Sequence, residues 1–231
     1  DLPGHGDTEC PSDPERFTVE EIARDLNALL DLTGIAEAHW VGYSMGGRIA
    51  LFAAARYPDR ARSILAESAS PAIASEPERA ARRASDEALA REILTRGIEW
   101  FAEHWAAQPI FETQATLSER TRAAVRAARL RNNPAGLAGS LRGAGQGTQP
   151  YLGPFLADLR CTALFVTGSL DAKYGAYAEA MAASVPGARH LVVPAAGHNV
   201  HLERPDAFER ALVEHLVPFA SAARTSARST L

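Results

Sequence analysis

A serine, an aspartate and a histidine occur in an order that supports nucleophilic or base catalysis. Ser44 lies in the segment Gly42–Gly46, which fits G-x-S-x-G, and small residues two positions either side of such a serine allow close backbone approach. Asp171 and His198 each follow a predicted strand further along the chain. Since a serine hydroxyl needs a base and the base needs an orienting carboxylate, we predict a catalytic triad, with the Met45 amide as an oxyanion donor.

The elements that must position these residues are short apolar strands that alternate with amphipathic helices. This alternation predicts a mainly parallel, doubly wound sheet of the α/β class, and the carboxyl ends of its strands meet at one edge. Strands are predicted at 38–43, 62–67, 162–167 and 190–193, and helices near 19–33, 45–56, 175–184 and 205–220. We expect the Ser/Ala/Arg-rich end, residues 221–231, to fray.

The stretch from residue 68 to residue 150 has a different texture, because strand signals vanish and four helical segments follow one another. We therefore predict a helical cap inserted between strands. The predicted division is 1–67 for the first part of the core, 68–150 for the cap and 151–231 for the second part of the core. The glycines between 143 and 150 are interpreted as a flexible connection.

Other histidines and a lone lysine leave alternatives open near the site. His201 lies three residues after His198 and competes for the role of base. We favour His198 because it follows Gly197 in a loop, and we expect His201 to be a neighbouring wall or surface residue. His5 is expected only to shape its turn, and Lys173, the only lysine, is as consistent with a surface ion pair as with a site.

Composition excludes several classes of protein. The chain has 231 residues, 46% of them hydrophobic, and a net charge of −4, so disorder is excluded and nucleic acid is a poor partner. No apolar run is long enough for a membrane span. Two cysteines do not make a disulfide framework, so we predict a cytoplasmic location. No cluster of His, Cys and Asp residues has metal-ligand spacing, so we expect no metal.

Several segments together resemble a known family. The similarity is to the α/β-hydrolase superfamily, and more closely to the 2-succinyl-6-hydroxy-2,4-cyclohexadiene-1-carboxylate synthases of menaquinone biosynthesis. It is carried by the opening DLPGHG, the strand–turn–helix segment VGYSMGGRIAL around Ser44 (the elbow), the segment GSLDAKY and the late AGHNVHLERP. Segments of the cap also match, including WAAQPIF and RLRNNPAGLAGSLRGAGQGTQP. The resemblance implies a lyase that eliminates pyruvate from 2-succinyl-5-enolpyruvyl-6-hydroxy-3-cyclohexene-1-carboxylate, with the triad serine acting as a base and without a cofactor.

The same resemblance implies residues that bind a small polyanionic substrate. The matching arginines are Arg48, Arg82 and Arg129, and Tyr43 and Trp105 match an aromatic wall. Guanidinium groups bind carboxylates in a bidentate manner, which agrees with this role. Arg48 also lies just inside the elbow helix, where a cation opposes the helix dipole and therefore calls for another reason.

The resemblance also implies an N-terminal part with early strands and an HG-aromatic loop that supplies a second oxyanion donor. We find no such loop before the elbow, so we expect an N-terminally truncated hydrolase fold that lacks this donor. Ala38–Tyr43 is then expected to be an unpaired apolar edge. We expect the chain alone to associate or aggregate and to show little elimination activity.

Two other functions remain open at this point. One is a serine hydrolase that acts on an ester or a carbon–carbon bond, and the other is a non-catalytic binding module that keeps the pocket. An intact triad is unnecessary for binding alone, which disfavours the module. The sequence makes no prediction of oligomeric state.

Overall fold

The computed structural model describes the backbone of residues 1–228 and the side chains of residues 1–219. The strands are β1 (Ala38–Tyr43), β2 (Ala61–Glu67), β3 (Thr162–Gly168) and β4 (Arg189–Val193). The helices are α1 (Val19–Leu32), α2 (Met45–Arg56), α3 (Glu76–Ala106), α4 (Glu119–Leu130), α5 (Pro134–Gly143), α6 (Ala172–Ser184), α7 (Val200–Glu203) and α8 (Pro205–Arg228). The predicted strands agree within one residue at each end. Helix α8 extends to Arg228, beyond the predicted end at residue 220, so the expectation of fraying is wrong for the backbone of residues 221–228, and residues 229–231 lie outside the described part of the chain.

The four strands form one parallel sheet in the order β1-β2-β3-β4. Tyr43 pairs with Glu67, and Glu67 pairs with Val166, so the carboxyl ends of three neighbouring strands are in register. The predicted mainly parallel sheet is therefore confirmed. Because the strands are parallel, the loops that follow them emerge at a single edge, and that edge carries the candidate site.

Alternate side chains of the central strands bury against helices on opposite faces of the sheet. Ile64 and Phe165 pack with residues of α1, α2 and α6, whereas Leu65 and Val166 pack with residues of α8. All four side chains are almost completely buried, and each contributes about 1.5–3 kcal/mol relative to exposure. This two-sided burial fixes the strand ends in space. Within the described part of the chain, every helix is too short or too polar to cross a bilayer.

Helices α3, α4 and α5 follow β2 and precede β3, and residues 68–150 contain no strand. α3 changes direction at Gly97, whose φ of 82° lies in the left-handed region that favours glycine. Ile93 and Phe101 of α3 pack against Leu137 of α5, so these helices share a small core of their own. The division at residues 67 and 150 stays a prediction.

The segment at residues 143–150, interpreted above as a flexible connection, is buried and hydrogen-bonded, so that interpretation was wrong. Gln149 is fully buried, and its backbone amide donates to the Gly145 carbonyl at 2.9 Å. The glycines permit close packing rather than motion. A methyl group on Gly143 would lie 2.6 Å from the Phe17 backbone, and one on Gly147 would lie 2.6 Å from the Arg79 carbonyl.

Candidate active site

Ser44 occupies a strained turn between β1 and α2. Its φ of 51° and ψ of −110° are unusual for a residue with a side chain, and such strain is held only where the surrounding structure enforces it. The Ser44 amide donates to the Glu67 carbonyl at 2.8 Å. The first bond within α2 runs from the Arg48 amide to the Ser44 carbonyl, so the Met45 amide has no acceptor within the helix. This amide therefore lies at the positive end of a helix, beside the serine.

The close approach at this turn depends on Gly42 and Gly47 rather than on Gly42 and Gly46. A methyl group on Gly42 would collide with the Gly46 carbonyl, and one on Gly47 would lie 2.8 Å from the Ala69 methyl group. A methyl group on Gly46 would meet nothing within 4 Å. The expectation of close approach two positions either side of Ser44 is thus correct before the serine and wrong after it.

This difference gives a stability prediction. We expect Gly42→Ala to lower the free energy of unfolding by about 1–3 kcal/mol, because the added methyl group meets backbone that does not move aside. Gly46→Ala is the matched control and should raise that free energy by up to about 1 kcal/mol, since Gly46 lies in α2 with open space at its Cβ position. Urea denaturation followed by circular dichroism measures both, and equal midpoints for the two variants would contradict the packing argument.

The three predicted triad residues are brought together. His198 Nε2 lies 3.0 Å from Ser44 Oγ, and His198 Nδ1 lies 2.7 Å from Asp171 Oδ2. His198 and Asp171 are 2% and 7% exposed. A buried carboxylate can only accept, so Nδ1 carries the proton and Nε2 is left to accept the serine proton. The geometry suits proton transfer to and from Ser44, and the catalytic roles stay predictions.

His201, the competing histidine, is bonded elsewhere. Its Nδ1 lies 2.7 Å from Glu67 Oε2, and its amide donates to Glu67 Oε1 at 3.2 Å. Its ring lies 5.1 Å from that of Tyr43, and the Tyr43 ring lies 5.3 Å from that of His198. His201 is therefore a neighbour of the site that does not line the cavity, and among the described histidines it is His198 that reaches the serine hydroxyl.

A cavity of about 490 Å³ opens above Ser44. The core contributes its floor, and α3, α4 and α5 contribute its cover. All of the predicted binding residues line it, namely Tyr43, Met45, Arg48, Arg82, Trp105 and Arg129. Trp105 stacks on Phe101 with ring centroids 5.5 Å apart, which gives one side of the cavity a flat apolar wall.

Arg48 is a buried cation with a fixed orientation. It is 6% exposed, and Nη1 donates to the Ala144 carbonyl at 2.8 Å and to Gln149 Oε1. Burial lowers the pKa of its guanidinium to about 10. Burying this positive charge costs free energy, and its position near the start of α2 adds to that cost. An anion bound in the cavity would offset the cost, which gives a physical reason for an arginine at this position.

Arg82 and Arg129 face the same cavity in different ways. Arg82 Nε donates to Asp86 Oδ1 at 2.8 Å, and Asp86 is buried, which raises the pKa of its carboxyl group. Arg129 lies over the Phe111 ring at 5.3 Å, and burial lowers the pKa of its guanidinium. Among the residues with described side chains, Arg129 has no acidic partner.

Sequence reasoning missed several residues of the cavity. Tyr174 lies 4.5 Å from His198 between ring centroids, and its hydroxyl accepts from Gln146 Nε2 at 2.9 Å. The position of Tyr174 just after Asp171 was a usable signal, whereas Gln146 was hidden in the supposed flexible connection. His5, which was expected only to shape its turn, does bond within that turn, with Nδ1 3.0 Å from the Pro3 carbonyl, but it also lines the cavity. Lys173, which the sequence left open between a site and a surface ion pair, lines the cavity as well.

We searched the described side chains for groups that could bind a metal ion. Over residues 1–219, no group of three or more His, Cys, Asp or Glu side chains is placed to hold a metal ion. The residues that meet at the strand ends are a serine, a histidine, a carboxylate and several arginines. That set can transfer a proton and bind an anion next to the reacting group.

Comparison with known proteins places the chain in a family. The family model described as the alpha/beta hydrolase fold matches residues 1–205. A protein of Bacillus subtilis (strain 168) that provisionally carries the name 2-succinyl-6-hydroxy-2,4-cyclohexadiene-1-carboxylate synthase is 37% identical, over 94% of this chain and 79% of its own length. The enzyme of that name from Enterobacter sp. (strain 638) is 35% identical over 94% of this chain and 80% of its own.

A solved structure gives the same result in three dimensions. The structure of MenH from S. aureus superposes with a TM-score of 0.90 at 32% sequence identity, covering 94% of this chain and 82% of that one. The match includes the helices between β2 and β3 as well as the sheet, because so little of the chain is left out.

Proposed function

Because the chain belongs to the α/β-hydrolase family and, within it, to the 2-succinyl-6-hydroxy-2,4-cyclohexadiene-1-carboxylate synthases, we propose that it is a lyase of menaquinone biosynthesis. Its proposed reaction is the elimination of pyruvate from 2-succinyl-5-enolpyruvyl-6-hydroxy-3-cyclohexene-1-carboxylate. The proposal takes Ser44, His198 and Asp171 as the catalytic residues.

The observation that carries this proposal is the set of arginines in the cavity above Ser44. Arg48, Arg82 and Arg129 line one cavity with the serine, and Arg129 has no acidic partner among the described side chains. A substrate with several carboxylates needs several such groups, and a bidentate guanidinium pair is among the strongest contacts for a carboxylate. A site for a neutral ester would instead be mostly apolar.

The triad geometry fits a proton abstraction. We propose that His198 holds the Ser44 proton, so that Ser44 Oγ removes a proton from the ring carbon next to the succinyl ketone. The electron pair moves first toward the ketone oxygen, where the Met45 amide is the proposed donor, and then through the ring. The carbon–oxygen bond to the enolpyruvyl group breaks, and that group takes up a proton to leave as pyruvate.

The same residues leave a serine hydrolase as the alternative, since Ser44 near His198 also suits attack on an ester. We expect the purified protein to release pyruvate from the cyclohexene substrate, measured by coupled oxidation of NADH, and to hydrolyse p-nitrophenyl acetate at least about 100-fold less efficiently in kcat/KM. The reverse ratio would establish the hydrolase. Failure of Ser44 to react with a fluorophosphonate would favour the non-catalytic binding module.

A small polyanionic substrate is the proposed partner, and the cytoplasm is the proposed location. Cys10 and Cys161 are both free thiols, which fits a reducing compartment. Cys161 is also buried at the start of β3, where burial raises the pKa of its thiol, so it does not offer a reactive thiolate.

A further inference from the structure

The proposed reaction requires two separate turns to keep a fixed distance. Ser44 follows β1 and His198 follows β4, and 154 residues of sequence separate them. Their reacting atoms are nevertheless 3.0 Å apart. A displacement of about 1 Å in such a pair lowers the rate by roughly 100-fold, so the two turns need a direct mechanical connection.

We propose that Glu67 and His201 form this connection, and that both act as positioning residues rather than as reacting groups. The Glu67 carbonyl accepts from the Ser44 amide at 2.8 Å, which ties the end of β2 to the serine turn. The Glu67 carboxylate accepts from the His201 amide at 3.2 Å and from His201 Nδ1 at 2.7 Å. One residue is therefore bonded to both turns. The proposal rests on the proposed function only in taking Ser44 and His198 as the proton-transfer pair.

The Glu67 end of the connection is rigid. Glu67 is 1% exposed and lies between Tyr43 of β1 and Val166 of β3 in the sheet register. A carboxylate that is so deeply buried is costly unless it is hydrogen-bonded, and the bonds to His201 supply both of its oxygens with a donor. The contact is therefore needed for the buried charge as well as for position.

The His201 end is rigid because His198 and His201 belong to one braced segment. Glu203 places its carboxylate at the amides on either side of His198, with distances of 2.7 Å to Gly197 N and 3.3 Å to Asn199 N. His201 lies in α7, between these two bonded regions, so a shift of His201 carries the catalytic histidine with it. The Tyr43 ring contacts the rings of both His198 and His201, so it also links the two histidines.

Two substitutions at His201 test the proposal, because its side chain is 37% exposed and its backbone amide, which also donates to Glu67, is kept in both variants. We expect His201→Ala to lower kcat at least about tenfold with KM within about twofold, because positioning is lost while binding is kept. His201→Asn places an amide N–H where Nδ1 stood, and it should restore kcat to within about threefold of the parent protein. The rate of Ser44 modification by a fluorophosphonate should change in parallel.

The fluorophosphonate rate keeps this test separate from the proposed function, because it reports Ser44 and His198 without the cyclohexene substrate. His190→Ala is the control, since it removes a bond of 2.7 Å to Thr167 in the same sheet, away from the cavity, and should leave both rates unchanged. Parent-like rates in His201→Ala would overturn the proposal. Equal losses in the Ala and Asn variants would also overturn it, because the imidazole itself would then be required.

Discussion

Ser44→Ala is expected to lower kcat for pyruvate release by about 10⁴-fold or more. The substitution removes the hydroxyl that lies 3.0 Å from His198 Nε2, and alanine supplies no proton acceptor in its place. KM should change little, because the arginines that line the cavity stay in position. Steady-state assay of pyruvate release measures both constants.

Ser44→Gly separates loss of chemistry from loss of fold. This variant lacks the hydroxyl too and should be as inactive as Ser44→Ala. Ser44 has a φ of 51°, which glycine adopts without strain. The glycine variant should also be more stable than Ser44→Ala, by about 0.5–1 kcal/mol in the free energy of unfolding. Measurable turnover in either variant, after its mass is verified, would remove Ser44 from the proposed chemistry.

The same strained turn shows why the triad could be predicted from sequence. Ser44, Asp171 and His198 each follow a strand, and parallel strands bring the loops at their carboxyl ends to one edge. Local pattern and topology together therefore specify the meeting of three distant residues. The α/β-hydrolase fold and the synthase family, predicted from the motifs that surround these residues, are confirmed by the comparisons.

The residues that sequence did not reveal depend on burial contacts between distant segments. Gln149 looks like part of a Gly-rich linker, yet it is fully buried and accepts a hydrogen bond from Arg48. Glu67 looks like the last residue of an ordinary strand, and its pairing with His201 depends on how α7 meets the sheet. A hydrophobicity pattern indicates which face of an element is buried, but it does not indicate which distant polar group forms a hydrogen bond there.

The three arginines illustrate the same difference. Sequence similarity grouped them as equal clamps for carboxylates, whereas the structure gives them different surroundings. Arg48 is buried and shared between Ala144 and Gln149, so its loss would also leave buried acceptors without a donor. Arg82 donates a hydrogen bond to Asp86, while Arg129 lies over the Phe111 ring and has no acidic partner among the described side chains. Arg129 is thus the arginine whose contribution to substrate binding can be measured with least disturbance of the fold.

We expect Arg129→Ala to raise KM for the cyclohexene substrate by about 10–100-fold, with kcat within about threefold. A charge-assisted contact is worth about 1.5–3 kcal/mol, and Arg129 is proposed to bind a substrate carboxylate without taking part in the proton transfer. Arg129→Lys keeps the charge without the bidentate geometry and should lie between the two. The melting temperature should stay unchanged, because no described ion pair is lost.

Arg126→Ala is the matched control for this prediction. Arg126 lies on the same helix, α4, and is 53% exposed at a distance of 3.7 Å from Glu103, so it should affect neither KM nor kcat. Higher salt should raise KM of the parent protein more than that of Arg129→Ala, since screening acts on the charge that the variant lacks. An Arg129→Ala protein with parent-like KM, or one that loses only kcat, would show that this guanidinium does not bind the substrate carboxylates. The proposed preference for a polyanion would then depend on Arg48 and Arg82 alone.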